Sequence, residues 1–565
     1  MKRCLAILLV FLCLPVLGQA QERVDEITLL TVLETEEGQE RRGGTAQMRL
    51  EIRPGSGQVF IDSFPLTKID TQISTRFAKQ VACQITDSRC DNIDFYYTIR
   101  ADSPVVGGPS AGGAATVLTA AVLEDTQLRD DVVMTGTINS DGFIGPVSGI
   151  ESKVRAARAG GFEKVVLPKH APVESGNQTV YADTFSVDGI QVEPVTRVGE
   201  AYAAFTGTSA TPLNDSIRPS EAYQTIMSDV ARDLCLRTET LIGQVGEESS
   251  VLAPAQQDYQ LAQQALGETA FYSAASYCFS ANIELREEVL SDVPEAEREI
   301  IRSGVKGEAE RLLEEVGGRR LDTLSDVEAS IIVKERLYEV LQAGNETSTA
   351  YLVERLESAK SWSSFFRYSG SQDVDLQGRA LRSACLSRVN EAEERLSYLD
   401  VLGAQTAQYS ETLEETRAVY RRGDYTYCLF KASMLKADMN SIINTLGVSA
   451  SRLESYIDDK LELVGSHIRD QESFPILGYS YYRYSDSLKE EQPRLSAVFA
   501  EYASEFSSLT LYFEGGRDRS VVFDRSFLDS KSGVEAFWLG AGAVSITVMA
   551  AMLVALLLDK RKTRD

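Results

Sequence analysis

Four cysteines that recur at a fixed interval constrain the fold of this chain more than any other feature. Cys235 and Cys278 lie 43 residues apart, and Cys385 and Cys428 repeat that spacing 150 residues later. Two tyrosine pairs share the 150-residue offset, Tyr259 with Tyr409 and Tyr277 with Tyr427. Several positions in register at one period indicate an internal repeat. We therefore expect two similar helical modules, each closed by its own disulfide bond.

The pattern of apolar residues changes once along the chain. From residue 24 to residue 205, short strand-like runs alternate with helical segments, among them a helix at Ile150–Ala159 that ends at two glycines. Residues 206–220 are polar and contain two prolines, which is typical of a linker. The sequence after the linker has helical periodicity throughout. It thus predicts an α/β domain over residues 24–205, followed by an all-α region made of module 1 (residues 221–370) and module 2 (residues 371–530).

Two apolar segments near the ends predict a membrane topology. Residues 1–20 carry two basic residues, an apolar run and then small residues, which is the pattern of a cleaved signal peptide. Residues 536–558 contain no charge and precede a basic stretch, so they predict a transmembrane helix with a cytoplasmic tail at residues 559–565. The rest of the chain is then expected outside the cell membrane. There its cysteines are expected to form disulfide bonds, paired 83–90, 235–278 and 385–428.

Charge and metal-ligand content argue against two classes of function. The formal net charge of −26 opposes nucleic-acid binding, which requires a basic surface. The chain has only two histidines, His170 and His467, and no CxxC pair, so a zinc site is not expected. Both histidines are predicted to lie at the surface. No metal or other cofactor is expected.

A serine and a lysine form the candidate catalytic pair. Ser110 lies in GGPSAGG at residues 107–113, where glycines permit a sharp turn and proline suits the first turn of a helix. Backbone N–H groups at a helix start can stabilise an oxyanion, but the same pattern also describes an ordinary helix cap. Lys153 lies beside the apolar stripe of its helix, so burial could lower its pKa from about 10.4 toward 7–8 and make it a base. The alternative is a lysine that extends along the edge of the core to solvent.

Three motifs in register resemble the proteolytic domain of the Lon proteases. They are GPSAG at residues 108–112, DVVMTGTI at 131–138 and IESKVRAARAGG at 150–161, with VVLPK following at 165–169. The resemblance implies that Ser110 is the nucleophile, that Lys153 is the general base, and that Thr135 hydrogen-bonds the lysine. It also implies a Lon-type α/β fold for residues 24–205, similar to domains in membrane-anchored archaeal proteins.

The chain departs from the Lon pattern in three respects. Gly107 stands where many Lon domains have an acidic residue, and the strand at residues 94–98 lacks the histidines often found there. No GxxxxGK[ST] phosphate loop occurs in the sequence, so the ATP-driven motor of full Lon proteases is not expected. Such an enzyme would act without ATP on substrates that arrive unfolded, as peptides or as flexible loops. Because Lon domains form rings, a homo-oligomer is left open.

Three hypotheses for the function follow. The leading one is an ATP-independent, membrane-anchored serine endopeptidase that cleaves unfolded proteins or peptides outside the cell membrane, with neither nucleic acid nor nucleotide as a partner. The second is a surface binding or assembly protein in which the Lon-like domain is an inactive scaffold and the helical modules act. The third is a self-processing protease that cuts its own chain, with the linker at residues 206–220 as the expected site.

Overall fold

A computed structural model describes the chain over residues 23–33, 42–64, 69–101, 109–139, 141–175, 178–210, 212–213, 217–368, 376, 378–471 and 473–513. The predicted signal peptide, the predicted transmembrane helix at residues 536–558, its tail and Gly107 lie outside these ranges. Within them, every helix falls short of the length and apolar character that crossing a bilayer requires.

Seven of the described strands form one mixed sheet that organises the α/β domain. The strands are β1 (Arg23–Leu33), β2 (Arg42–Pro54), β3 (Val59–Phe64), β4 (Ile93–Ala101), β5 (Val132–Met134), β6 (Thr137–Ile138), β7 (Ile144–Gly145), β8 (Lys164–Pro168), β9 (Pro172–Ser175), β10 (Gln178–Tyr181) and β11 (Gln191–Val195). The sheet order is β11-β8-β5-β1-β2-β4-β3, with β2 antiparallel to both of its neighbours and the other pairs parallel. Strands β6 and β7 form a short antiparallel hairpin, and β9 pairs with β10.

Helices cover both faces of this sheet. They are α1 (Ile69–Ile85), α2 (Gly112–Glu124), α3 (Ile150–Ala159) and α4 (Val198–Thr206). Because side chains alternate along a strand, Val132 and Met134 of β5 pack with α1, α2 and α4, whereas Val133 packs with α3 on the other face. Helix α2 is the centre of the larger layer, since all its residues up to Leu123 are buried.

The region after residue 220 is entirely helical where it is described. Module 1 contains α5 (Glu221–Ile242), α6 (Leu252–Gly267), α7 (Phe271–Ser291), α8 (Glu295–Gly317), α9 (Leu324–Gln342) and α10 (Thr349–Trp362). Module 2 contains α11 (Arg379–Val401), α12 (Ala407–Arg422), α13 (Tyr425–Thr445), α14 (Ala450–Asp470), α15 (Ile476–Leu488) and α16 (Pro493–Ser507). The predicted succession of a mixed α/β domain and an all-α region is confirmed.

Three cysteine pairs lie at disulfide-bonding distance, and they are the pairs expected from the sequence. They are Cys83–Cys90, Cys235–Cys278 and Cys385–Cys428. In module 1 the bridge joins the first helix to the third, and in module 2 the bridge again joins the first helix to the third. The two modules therefore share both a helix order and the position of a covalent cross-link.

Each module also buries a carboxylate of its sixth helix between two cations. In module 1 the carboxylate is Glu354, which is fully buried and lies 2.9 Å from nitrogen atoms of both Arg237 and Arg286. The corresponding residues in module 2 are Glu505, Arg388 and Lys436. Buried charges of this kind persist only when they are paired, so each module has an ionic centre that links its first, third and sixth helices.

Module 2 packs directly against the α/β domain. Phe143, between β6 and β7, is 1% exposed and shares an apolar cluster with Leu453, Ile457 and Leu461 of α14. The Phe143 ring meets the Tyr456 ring edge-on at 5.6 Å between centroids. Module 2 and the α/β domain belong to the same compact unit.

Candidate active site

Ser110 lies in a 3₁₀ turn, Pro109–Ala111, that leads directly into α2. The sequence predicts Ser110 at the start of the helix, and the structure places it two residues before the first helical residue, Gly112. Ser110 is partly exposed, whereas the helix behind it is buried. The chain therefore emerges from the core at Ser110, where its side chain can meet a substrate.

A glycine behind Ser110 permits a close approach between α2 and the segment after β5. An ideal Cβ on Gly113 would lie 2.7 Å from Met134 Cε and 3.3 Å from the Gly136 carbonyl oxygen. The approach lets two backbone hydrogen bonds form, from Gly136 N to the Ser110 carbonyl (3.0 Å) and from Gly113 N to the Gly136 carbonyl (3.0 Å). The position of Ser110 is thus fixed by the residues that follow β5.

Thr135 connects Ser110 to the lysine. It follows β5, is 1% exposed, and its N–H donates to the Val166 carbonyl of β8 at 3.2 Å. Its hydroxyl donates to the Ser110 carbonyl at 3.4 Å and accepts a hydrogen bond from Lys153 Nζ at 3.0 Å. The structure therefore brings Thr135 and Lys153 into direct contact and joins both to the backbone of Ser110.

Lys153 is more deeply buried than its sequence position beside an apolar stripe indicates. It is 3% exposed, and burial lowers the pKa of its ammonium to about 7. No ion pair to Lys153 occurs among the described residues, so no neighbouring carboxylate restores the charged form. The burial excludes the alternative of an amine that extends to solvent.

The burial of Lys153 depends on two glycines that allow close packing of the first turn of α3, one in β2 and one just before the helix. An ideal Cβ on Gly43 of β2 would lie 2.1 Å from the Ser152 carbonyl oxygen, so only glycine lets α3 approach the sheet this closely. Gly149, just before α3, has a φ of +68°, a conformation that favours glycine, and it lies against Val32 of β1. The hairpin of β1 and β2 therefore covers the turn that carries Lys153.

These contacts give Lys153 the properties of a base and connect it through Thr135 to the backbone of Ser110. A lysine with a pKa of about 7 is largely neutral slightly above neutral pH, and its lone pair can then accept a proton. The Thr135 hydroxyl fixes the position of the amine. Within the described residues, no group of three His, Cys, Asp or Glu side chains is placed to hold a metal ion.

Comparison with known families covers this same part of the chain. Residues 69–201 match the family model of the Lon protease (S16) C-terminal proteolytic domain, and they include Ser110, Thr135 and Lys153. This segment is similar to the proteolytic domain of the Lon proteases. It contains the two residues to which the sequence resemblance assigns roles, Ser110 as the nucleophile and Lys153 as the base.

Individual Lon proteases are similar to the chain over short stretches. The Lon protease of Phenylobacterium zucineum is 36% identical over 98 residues, which is 17% of this chain and 12% of the relative. Lon protease 2 of Thermus thermophilus is 29% identical over 126 residues, or 22% of this chain and 16% of the relative. The peroxisomal Lon protease homolog 2 of Pongo abelii is 37% identical over 79 residues, or 14% of this chain and 9% of the relative. The chain thus spans less than a fifth of the length of each relative.

Strand β4, which lacks the histidines often found in Lon domains, contributes side chains to the core of the α/β domain. Phe95 and Tyr97 of β4 are fully buried, and the Tyr97 hydroxyl lies 2.6 Å from the Thr119 hydroxyl of α2. Asp94 accepts hydrogen bonds from N–H groups of the turn between β2 and β3, at Ser56 (2.7 Å) and Gln58 (2.9 Å). Strand β4 therefore packs against α2, the helix that follows Ser110.

The predicted surface position of His170 is wrong. His170 is 4% exposed, its Nε2 lies 2.6 Å from Asp459 of α14, and its ring packs edge-on against Tyr456. His467 is only partly exposed. Because Asp459 is 289 residues away along the chain, no local pattern indicates that His170 is covered.

Sequence reasoning also missed the residues that surround the loop after Thr135. Asp141 forms a buried ion pair with Lys460, although 319 residues separate them along the chain. The Ile138 carbonyl accepts a hydrogen bond from Arg395, which is also far away in the sequence. The burial of an aspartate in a glycine-containing turn could have been inferred only from the tertiary structure.

Proposed function

We propose that the chain is a serine endopeptidase in which Ser110 is the nucleophile and Lys153 is the general base. The observation that carries the proposal is the buried amine of Lys153, which has a pKa of about 7 and is hydrogen-bonded to Thr135 beside the backbone of Ser110. A buried lysine without a carboxylate partner lowers the stability of the fold. If Lys153 acts as a base, the lowered pKa that results from this burial is needed for catalysis, which accounts for the loss of stability.

The proposed reaction proceeds through an acyl-enzyme. Neutral Lys153 takes the proton from the Ser110 hydroxyl as the Ser110 oxygen bonds to the carbonyl carbon of the scissile peptide. The resulting ammonium returns this proton to the leaving nitrogen, the C–N bond breaks, and an ester to Ser110 remains. Water then attacks the ester with Lys153 again as base, which releases the carboxylic acid and restores the serine. Backbone N–H groups near the 3₁₀ turn at Ser110 would hold the oxyanion.

The setting that we propose is the outer side of a cell membrane, without ATP. The sequence supports this by its signal-peptide pattern at residues 1–20, its apolar segment at 536–558 and its lack of a phosphate-loop motif. Cysteine pairs at bonding distance agree with an oxidising compartment. The substrates would be unfolded proteins, peptides or flexible loops, because no motor is proposed to unfold them. A homo-oligomer is compatible with this proposal.

The test compares the full-length chain in detergent with three single variants. Wild type, Ser110→Ala, Lys153→Met and the control Lys334→Met are incubated with an unfolded protein, with and without ATP, and the products are identified by mass spectrometry. Lys334 is also a buried lysine, but it pairs with Asp424 inside the helical region. We expect cleavage by wild type and by Lys334→Met alone, at equal rates with and without ATP. Equal inactivity of all four proteins toward several unfolded substrates would refute the proposal and favour the binding or assembly role.

Cleavage of its own chain is an alternative function for the same site, and one observation favours it. The linker residues Gly207, Thr208 and Ser209 are exposed, so a protease can reach this segment. A truncated product that ends near these residues and is absent from Ser110→Ala would indicate cleavage by the chain itself. Turnover of added substrate would separate a general endopeptidase from an enzyme that cuts only once.

A further inference from the structure

The hairpin that follows Thr135 is attached to the active site at one end. Thr137 pairs with Gly145 and Ile138 with Ile144, and we call residues 137–139 and 141–145 the active-site hairpin. A single residue, Gly136, separates it from Thr135, and Gly136 is hydrogen-bonded to the Ser110 carbonyl. A displacement of this hairpin would therefore move the hydroxyl that holds the Lys153 amine.

Module 2 holds the active-site hairpin by polar contacts. Lys460 Nζ lies 2.5 Å from Asp141 Oδ2, and the Ser504 hydroxyl donates to the same oxygen at 2.7 Å. Arg395 donates to the Ile138 carbonyl at 3.0 Å. All of these side chains are at most 4% exposed. A contact made of buried charges in a fixed geometry is more selective for one arrangement than an apolar contact is.

Asp141 and Glu501 share the ammonium of Lys460. Burial opposes the charged form of Asp141, but Lys460 and the hydrogen bonds to the carboxylate hold its pKa below the ordinary value. Burial likewise opposes the ammonium of Lys460, but Asp141 and Glu501 raise its pKa. Glu501 lies 3.1 Å from Lys460 and also accepts hydrogen bonds from Tyr456 and Asn444. Lys460 is thus a buried lysine that stays charged, in contrast to Lys153.

We propose that Lys460, Ser504 and Arg395 of module 2 are positioning residues for the Ser110–Lys153 site. They act through Asp141 and the Ile138 carbonyl, which fix the hairpin next to Thr135. Module 2 is then a structural part of the catalytic unit, which explains why the α/β domain and the helices share a buried polar interface. The proposal rests on the proposed protease function for its effect on turnover, but it also makes a claim about Lys153 that does not depend on turnover.

The test uses single and paired amide substitutions in the full-length chain. Lys460→Gln leaves the Asp141 carboxylate buried without its cation, whereas Asp141→Asn combined with Lys460→Gln replaces the ion pair by a neutral amide pair. Glu501 loses the same cation in both variants, and burial raises its pKa, so the comparison between them isolates Asp141. Lys334→Gln is the matched control, since Lys334 is buried and lies 2.7 Å from Asp424 without contacting the hairpin. Two quantities are measured: kcat and KM on an unfolded protein, and the pKa of the Lys153 amine from the pH dependence of its acylation, followed by mass spectrometry.

We expect Lys460→Gln to lower kcat on the order of 10-fold or more with little change in KM, because a misplaced base affects the chemical step. We also expect the pKa of Lys153 to rise as water reaches a loosened hairpin. The paired substitution should recover most of the lost kcat, and Lys334→Gln should match wild type in both quantities.

Equal losses in Lys460→Gln and Lys334→Gln would overturn the proposal, since they would indicate general destabilisation. So would a Lys460→Gln protein with wild-type kcat and wild-type Lys153 pKa. If wild type cleaves nothing but Lys460→Gln still raises the Lys153 pKa, the positioning role stands and the protease function fails. Should Lys460→Gln not fold, Arg395→Gln is measured in its place, because it removes the bond to the Ile138 carbonyl without leaving Asp141 unpaired.

Discussion

Replacing Lys153 by methionine is expected to stabilise the fold while abolishing cleavage. Methionine has a similar length and no charge, so it can occupy the buried space of the lysine stem without the cost of an amine in an apolar environment. Lys153 is 3% exposed and its pKa is about 7, whereas an ordinary lysine has a pKa near 10.5. Folding therefore forces this group to give up its proton over a wide range of pH.

The sign and size of the effect follow from that difference. The folded protein releases the Lys153 proton near pH 7, while the unfolded chain keeps it until about pH 10.4. Between these values the unfolded state binds one more proton, so the stability of wild type rises with pH across this window. The cost is about 5 kcal/mol well below pH 7, about 4 kcal/mol at pH 7 and about 1 kcal/mol at pH 10. The methionine variant does not have this cost.

Denaturant unfolding at several pH values measures the effect. We expect wild type to gain about 3 kcal/mol relative to Lys153→Met between pH 7 and pH 10. Lys460→Met is the control: it removes a buried lysine that is paired with Asp141 and charged, so it should destabilise the protein at both pH values. The kcat/KM of wild type should rise with pH through about pH 7 and level off above it, as Lys153 becomes neutral. A gap between wild type and Lys153→Met that does not change with pH, or activity that rises only near pH 10, would refute the reasoning.

Three further predictions concern the site and its support. Thr135→Val should lower kcat by on the order of 10-fold because it removes the hydroxyl that holds Lys153, and Thr135→Ser should retain most of the activity; steady-state kinetics of the two variants would show whether the hydroxyl matters. Gly113→Ala should reduce kcat/KM by on the order of 10-fold, because its Cβ would lie 2.7 Å from Met134 Cε and 3.3 Å from the Gly136 carbonyl oxygen and would push α2 away from Gly136. Gly304→Ala in α8 meets nothing within 4 Å and should raise stability by about 0.5–1 kcal/mol. A fully active Gly113→Ala protein would contradict the close approach. Removing the Cys235–Cys278 bridge by two alanines should lower stability by about 2–4 kcal/mol in thermal unfolding, and reducing agent should then have less effect on the variant than on wild type.

Local elements of the α/β domain could be predicted from the sequence. The helix at Ile150–Ala159 has the predicted bounds, because an apolar stripe with helical period runs into two glycines that end it. At Ser110 the sequence predicts the start of an α-helix, whereas the structure has a 3₁₀ turn at Pro109–Ala111. The two conformations are not distinguished because the same Gly-Pro-Ser pattern occurs in both. Short-range periodicity and turn residues are sufficient for such features.

Features that depend on distant parts of the chain could not be predicted. The burial of Lys153 depends on Gly43, which lets β2 approach α3 closely. The residues near Lys153 in the sequence give no indication of this approach. The cover of the active-site hairpin comes from Lys460 and Arg395, more than 250 residues further along the chain. The wrong prediction that His170 lies at the surface has the same cause, because Asp459, which contacts it, belongs to the same distant helix as Lys460.

The ionic centres of the two modules bear on the history of the chain. Lys436 lies 150 residues after Arg286, and Arg388 and Glu505 lie within one residue of the positions 150 after Arg237 and Glu354. The two centres thus occupy equivalent positions, as duplication of one ancestral module would produce. Lys460 has no buried counterpart, since the residues at and next to the position 150 residues earlier, Glu310 and Arg311, are exposed. Duplication of one module would therefore account for the ionic centre in each copy, whereas the contacts that join the helices to the α/β domain through Lys460 are a feature of module 2.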